Sequence, residues 1–240
     1  MFDHVTIRVS DRDASERFYE TVLDAIGVRK TASAADYAEW DDFSLAQGEE
    51  PTRNLHIAFC AWSHQAVDAF WNAGIAAGYR SDGEPGMRTQ YSPDYYGAFL
   101  LDPDGNSAEA VYQGDMVRRG NIDHLWIRVP DVDAAQRFYE LIAPHSGFEL
   151  RRRLPERAHF KGSGSTFALV SDSRPQTQNL HLAFGADSDD TVDAFHAAAV
   201  AAGHRDNGPP GERPQYHAGY YAAFVLDPAG ANVEVVSHNR

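Results

Sequence analysis

From His4 to Val9 apolar and polar positions alternate, with Val5, Ile7 and Val9 on one face and His4, Thr6 and Arg8 on the other. A period of two predicts a half-buried strand. The period then lengthens: Phe18, Val22 and Ile26 recur every fourth position and line one helix face. Asp13, with Glu16 three residues on, predicts the N-cap of that helix, and Gly27 its C′ residue. Residues 28–47 are broken into short strands by Ala-Ser and Asp-Asp pairs. A second strand over 54–60 precedes a helix from about Ser63 to Gly78 that buries Val67, Phe70 and Trp71. Two closing strands flank Asp102-Pro-Asp-Gly-Asn106, a hairpin-turn signal.

The same order then returns. Phe2-Asp-His-Val-Thr-Ile-Arg-Val9 recurs as Ile122-Asp-His-Leu-Trp-Ile-Arg-Val129, and Arg17-Phe-Tyr-Glu20 as Arg137-Phe-Tyr-Glu140. Asn54-Leu-His-Ile-Ala-Phe59 recurs as Asn179-Leu-His-Leu-Ala-Phe184, and Phe99-Leu-Leu-Asp-Pro103 as Phe224-Val-Leu-Asp-Pro228. The first pairs are 120 positions apart and the later ones 125, so the second copy holds about five extra residues, expected near Arg151–Arg153 and Gly162–Ser165. Ala135, Phe138 and Ile142 mark the first helix of that copy, and Pro144 predicts its end. Two modules follow, residues 1–115 and 121–240, joined near Gln113 to Gly120. Several short, hairpin-linked strands after each helix favour an α+β fold with helices on one sheet face over a doubly wound parallel sheet.

Composition narrows the function classes. With 21 Lys and Arg against 35 Asp and Glu, the net charge of −14 repels phosphate backbones and anionic lipid, so neither nucleic acid nor membrane is expected as partner. Cys60 is the single cysteine, which removes internal disulfides and thiolate metal sites and suits a reducing cytoplasm. No apolar run approaches the ~18 residues of a membrane span. Asp3, His4 and Arg8 interrupt the only apolar stretch at the start, so no signal peptide is expected. The expected location is cytoplasmic.

The chemistry-bearing positions repeat with the modules. His4 lies on the first strand, His56 on the strand opening the second half of the module, and Glu109 on the last strand; His124, His181 and Glu234 match them. Two imidazoles and a carboxylate from neighbouring strands can occupy one face of an octahedral ion and leave positions for substrate. A plainer reading stands beside this one: each histidine is a hydrogen-bonded strand-end residue, and the glutamates pair with Arg8 or Arg128.

At these residues the chain resembles the vicinal oxygen chelate superfamily, the glyoxalase, bleomycin-resistance and extradiol-dioxygenase group. The resemblance rests on Asp3-His4 with Phe18-Tyr19, on Leu55-His-Ile-Ala-Phe59, on Leu101-Asp-Pro-Asp-Gly-Asn106 followed by Glu109, and on the matching residues of the second module. It implies tandem paired βαβββ units forming half-open mixed β-barrels, with the six histidines and glutamates as metal ligands. It also implies a divalent ion, Fe, Mn, Zn, Ni or Co, acting as a Lewis acid on a small oxygenated molecule as isomerase, lyase or dioxygenase. The triads are taken as His4/His56/Glu109 and His124/His181/Glu234, with an exchanged arrangement that joins His4 to Glu234 left open.

Departures from the family patterns matter. Glyoxalase-type isomerases place a further Glu on the strand corresponding to Phe43–Gln47 or Thr166–Val170, and neither stretch holds an acid. The extradiol closing signature fits His217 and Glu234, but its tyrosine position is Phe224, and Phe99 in the first module, where Ser92 stands opposite His217. Thr6 beside His4 resembles fosfomycin-resistance transferases, without further support. A loop before the penultimate strand repeats Arg88-Thr-Gln-Tyr91 with Tyr95-Tyr96 as Arg213-Pro-Gln-Tyr216 with Tyr220-Tyr221. Arg88, Tyr91, Arg213 and Tyr216 are candidate substrate contacts for a carboxylate or phenolate. Tyr96, Tyr221 and His217 are the candidate catalytic groups; the alternative is that the tyrosines pack the barrel rim. The expected partner is a small-molecule substrate, and a homodimer is compatible with the pattern. The rival function is metal-free sequestration of a small molecule or drug on the same fold.

Overall fold

Four βαβββ units follow one another along the chain. The computed structural model describes residues 1–114 and 120–239, so residues 115–119 of the expected joint lie outside the described residues. The first unit is β1 (Phe2–Val9), α1 (Arg12–Asp24), β2 (Ala32–Ser33), β3 (Tyr37–Trp40) and β4 (Phe43–Gln47). The second is β5 (His56–Cys60), α2 (His64–Ala76), β6 (Arg80–Met87), β7 (Tyr96–Leu101) and β8 (Ser107–Tyr112). The third is β9 (Ile122–Arg128), α3 (Val132–Ile142), β10 (Phe148–Leu154), β11 (Arg157–Gly162) and β12 (Thr166–Val170). The fourth is β13 (Leu180–Ala186), α4 (Asp189–Ala201), β14 (Arg205–Glu212), β15 (Tyr220–Leu226) and β16 (Asn232–His238). Most of the extra residues of the second copy fall in the β11–β12 connection: Ser33↔Ala38 becomes Arg153↔Ala158 at a constant offset, whereas Trp40↔Phe43 becomes Phe160↔Phe167.

The compact bodies are cut differently from the sequence repeat. One lobe joins Met1–Thr6 to the chain from Ile127 onward; the other is Ile7–Trp126. The break falls inside β1 and inside β9, so each strand begins in one lobe and ends in the other. In the lobe of residues 7–126 the strand order β9-β5-β8-β7-β6 is mixed, β5 being parallel to β8 and antiparallel to β9. In the other lobe the order β14-β15-β16-β13-β1 repeats it, with β13 parallel to β16.

Local chemistry explains most boundaries. The first helix begins two residues earlier than the Asp13 reading: Asp11 is its N-cap, its carboxylate accepting from Ala14 N at 2.9 Å, while Asp13 sits in the first turn. Ser63 and Ser188 cap α2 and α4 in the same way. Helix α3 stops at Ile142, before a 3₁₀ turn that contains Pro144. Strands β6 and β14 escape the hydrophobic pattern because Gly83, Pro85 and Gly86, and their counterparts Gly208 to Gly211, interrupt it with register shifts. Both are edge strands, where proline is tolerated.

Each lobe has an aromatic core. Tyr19, Trp40, Phe43 and Phe59 are fully buried in one, and Tyr139, Phe160, Phe167 and Phe184 in the other. Tyr19 also does a second job. Its hydroxyl donates to Asp102 Oδ2 at 3.0 Å, while Asp102 Oδ1 accepts from Asp104 N and Asn106 N. Tyr139 holds Asp227 likewise at 3.1 Å. The helix thus locks the hairpin turn whose register puts Phe99 opposite Glu109 and Phe224 opposite Glu234. A one-residue slip would turn the glutamates to the opposite face.

Candidate metal centre

Strand register brings three donors together in the lobe of residues 7–126. Ala58 of β5 is paired with Glu109 on one side and His124 on the other. Laterally paired residues share a face, and His56, two positions before Ala58, shares it too. Ala58 is fully buried and small, so the three longer side chains converge over it. His56 Nε2 lies 2.9 Å from Glu109 Oε2, and His124 Nε2 lies 3.6 Å from the same oxygen. In the other lobe Ala183 is paired with Glu234, two positions after His181. There His181 Nε2 lies 2.8 Å from Glu234 Oε2, and His4 Nε2 lies 3.7 Å from it. In each group the ligating atoms lie within 4.8 Å of one another, so each could hold a metal ion.

The grouping corrects the triads taken module by module. His4 belongs with His181 and Glu234, and His124 with His56 and Glu109. The reason is that β1 pairs with strands of the later repeat and β9 with strands of the earlier one. Arg128 Nε lies 3.4 Å from Asp172, and Arg8 is exposed.

The surroundings prepare the imidazoles for a cation. His124 Nδ1 donates to Asp123 Oδ1 at 2.8 Å, and His4 Nδ1 to Asp3 Oδ1 at 2.9 Å. Each contact fixes the tautomer that leaves the Nε2 lone pair toward the cluster. Burial alone would raise the Asp3 carboxyl, but hydrogen bonds and charge from His4 and His238 hold it below the usual carboxylate range. His56 is set by an unusual turn, since Asn54 adopts φ +60°, as Asn179 does (+55°) two residues before His181.

The phenols that touch the glutamates stand one residue before the expected Tyr96 and Tyr221. Tyr95 Oη donates to Glu109 Oε1 at 2.6 Å, and Tyr220 Oη to Glu234 Oε1 at 2.6 Å. Burial, followed by the adjacent carboxylate charge, raises both phenols well above the usual tyrosine range, so each keeps its proton. Tyr96 and Tyr221, the expected catalytic groups, point the other way and donate to Asp68 of α2 and Asp193 of α4, both at 2.8 Å. The period of two could have found this. Phe99 is opposite Glu109, so Gly97 and Tyr95 share its face and Tyr96 does not. A Cβ on Gly97 would come within 2.4 Å of Glu109 Oε1 as placed, although Ala222 stands at the matching position of the other lobe beside the same tyrosine–glutamate contact.

The remaining candidates lie around the rim. Arg88 donates to Glu84 O at 2.7 Å and stacks 5.5 Å over the Phe99 ring; Arg213 does the same with Pro209 O and Phe224. Both guanidinium groups are committed to the loop backbone and to a ring that lies against a histidine of the cluster, His56 or His181. Tyr91 packs on Tyr95 and Trp126 and Tyr216 on Tyr220, each more than half exposed. His217 is linked to its cluster through His238: its Nε2 lies 3.0 Å from His238 Nδ1, and His238 Nε2 lies 2.8 Å from Asp3 Oδ2. His238 and its contact with Asp3 were not foreseen, because the partners stand 235 positions apart.

Comparison with known proteins gives one family match. The family described as Glyoxalase/Bleomycin resistance protein/Dioxygenase superfamily matches residues 1–110 and 121–235. Among solved structures, glyoxalase I from Zea mays aligns with TM-score 0.72 and 19% identity over 99% of this chain and 92% of that one. A Mn(II)-bound glyoxalase from Novosphingobium aromaticivorans aligns at TM-score 0.44 and 22% identity, covering 100% and 82%. A glyoxalase/bleomycin resistance protein from Albidiferax ferrireducens T118 aligns at 0.42 and 25%, covering 48% of this chain and 96% of its own. No curated protein matches. The first alignment reports fold: α+β, in tandem modules.

Proposed function

Because the chain belongs to the glyoxalase/bleomycin resistance protein/dioxygenase superfamily, we propose that it is a metal-dependent enzyme with two 2-His-1-Glu sites, acting on a small oxygenated organic substrate. The observation that carries this reading is the duplicate convergence of two imidazole Nε2 atoms on one Oε2 of a buried glutamate. The donor set fits a first-row divalent ion: neutral nitrogens with fixed tautomers and one carboxylate oxygen. Fe, Mn, Zn, Ni and Co all suit it.

His56, His124 and Glu109 would hold one ion, and His4, His181 and Glu234 the other. When bound, such an ion polarises substrate oxygens and stabilises negative charge that develops on them. The chain's own residues do the rest. Tyr95 and Tyr220 each occupy one carboxylate oxygen of the glutamate and leave the second for the ion. Their protons are held firmly, so they orient the ligand rather than act as acids. Asp123 and Asp3 keep His124 and His4 in the ligating tautomer. Phe99 and Phe224 lie beside the ligand histidines and exclude water on that side, which strengthens polar interactions at the site.

The test is metal content. Purified protein is expected to carry one to two equivalents of a first-row metal, and Glu109→Gln and Glu234→Gln should each abolish one site. No metal in elemental analysis, and none taken up on reconstitution, would overturn the reading in favour of metal-free sequestration.

A further inference from the structure

An aromatic collar at the centre of residues 7–126 is closed by a side chain that has no ring counterpart at the other centre. Trp126 follows His124 by two positions on β9 and is paired directly with His56 of β5, so the indole shares the face of the donors. Its ring meets that of His56 at 6.2 Å and that of Tyr91 at 6.0 Å, both close to edge-to-face at 69° and 74°. Tyr91 packs on Tyr95 at 5.0 Å, Tyr95 on His124 at 6.3 Å, and His124 on His56 at 5.4 Å. The contacts therefore run in a closed circuit. Three of its members converge on the Glu109 carboxylate, Tyr95 at Oε1 and both histidines at Oε2. Trp126 and Tyr91 carry the circuit from His56 back to Tyr95, and Tyr91, 51% exposed, is its side toward solvent.

The repeat departs from itself at this point. In the other lobe Thr6 follows His4 where Trp126 follows His124. A threonine supplies no ring, so the circuit cannot close there. Tyr216 packs on Tyr220 at 4.9 Å and is 61% exposed, more than Tyr91 is. The two histidines, the glutamate with its phenol and the phenylalanine beside the second histidine are the same in both lobes. The indole thus imposes a different shape on equal donor sets.

Bulk and π character both follow from the exchange. An indole takes up volume beside His56 that a branched substituent would need, and threonine leaves the equivalent volume open. The indole also favours a second flat ring, in offset or edge-to-face contact. We propose that Trp126 determines specificity: the His56/Glu109/His124 centre selects molecules with a flat, unsaturated group next to their metal-binding oxygens, and the His4/His181/Glu234 centre admits branched, saturated groups as well. One chain then carries two sites of different range built on the same donors. This assignment rests on the metal reading for the way the substrate oxygens are held.

Hydroxamates test it, because benzohydroxamate and pivalohydroxamate present the same two oxygens on a flat ring and on a branched alkyl group. Co(II) is loaded into the full chain carrying Glu234→Gln, which leaves the Trp126 centre, or Glu109→Gln, which leaves the Thr6 centre. Each probe is titrated against the Co(II) absorption bands. The preference for benzohydroxamate should be roughly fivefold to tenfold greater at the Trp126 centre. Trp126→Thr should reduce it to the value of the other centre, and Thr6→Trp in the Glu109→Gln chain should create it. Equal preferences at the two loaded centres would overturn the assignment while leaving the metal reading intact. A preference unmoved by Trp126→Thr would do the same; if that variant fails to take up Co(II), the outcome with Thr6→Trp decides. Failure of both single-centre chains to bind Co(II) would overturn the metal reading and this assignment with it.

Discussion

Tyr95 donates to Glu109 Oε1 at 2.6 Å, and the neighbouring Tyr96 donates to Asp68 on the opposite side of the strand. Adjacent tyrosines thus have unrelated tasks. One secures a buried carboxylate; the other ties β7 to the helix above it. Tyr220 and Tyr221 repeat the division with Glu234 and Asp193.

Tyr95→Phe should therefore weaken metal binding at the His56/Glu109/His124 centre by roughly 10–100-fold, the usual effect of losing a partner behind a ligand. Tyr220→Phe should do the same at the other centre only. Tyr96→Phe and Tyr221→Phe should leave both affinities within about twofold, because neither hydroxyl touches a ligand. Isothermal titration with Co(II) or Zn(II) separates the two pairs, and a large effect from Tyr96→Phe would contradict this division.

Metal loading should also stabilise the fold. An ion that binds only the folded chain adds about 2.7 kcal/mol at a free concentration 100 times its Kd. Tm should fall on chelation and recover on adding metal back. In Glu109→Gln/Glu234→Gln the chelator should produce no shift.

Asp102 links stability to pH. Burial pushes its carboxyl up to about 6, despite hydrogen bonds from Asn106 and Tyr19. The folded chain consequently holds this proton more tightly than the unfolded chain, and stability falls as pH rises from about 4 to 6. The loss from this group is on the order of 3 kcal/mol. Urea unfolding of Asp102→Asn across that window should show a shallower decline than the parent chain. Asp227 is raised for the same reason and adds a decline of the same sign.

The first helix supplies a check on local structure. Asp11→Ala removes the side-chain acceptor of Ala14 N and should cost about 1 kcal/mol. Asp13→Ala removes only a first-turn charge and should cost less. Equal losses in chemical denaturation would return the cap to Asp13.

Much of this was legible in the chain itself. Alternation at His4–Val9, the four-residue spacing from Phe18 to Ile26 and the Asp102–Asn106 turn each specify a local geometry that depends on near neighbours. They were read with small errors, such as the cap two residues late and the edge strands β6 and β14 hidden by glycine and proline. The six histidines and glutamates that converge in the two clusters were also visible, because duplication printed the same three residue types twice at matching places.

The assembly of those six into two sites was decided elsewhere. Periodicity shows which face of a strand a residue occupies, and applied to Phe99 and Glu109 it separates Tyr95 from Tyr96, the residue expected to act. It cannot say which strand lies alongside. That depends on long-range pairing: β9 runs beside β5, with Trp126 opposite His56, and β1 (Phe2–Val9) runs beside β13 (Leu180–Ala186), across most of the chain. The two repeats are alike enough that either pairing would bury similar apolar faces, so the hydrophobic pattern does not choose between them. Tertiary structure does, joining His4 to Glu234, His124 to Glu109, and Asp3 to His238.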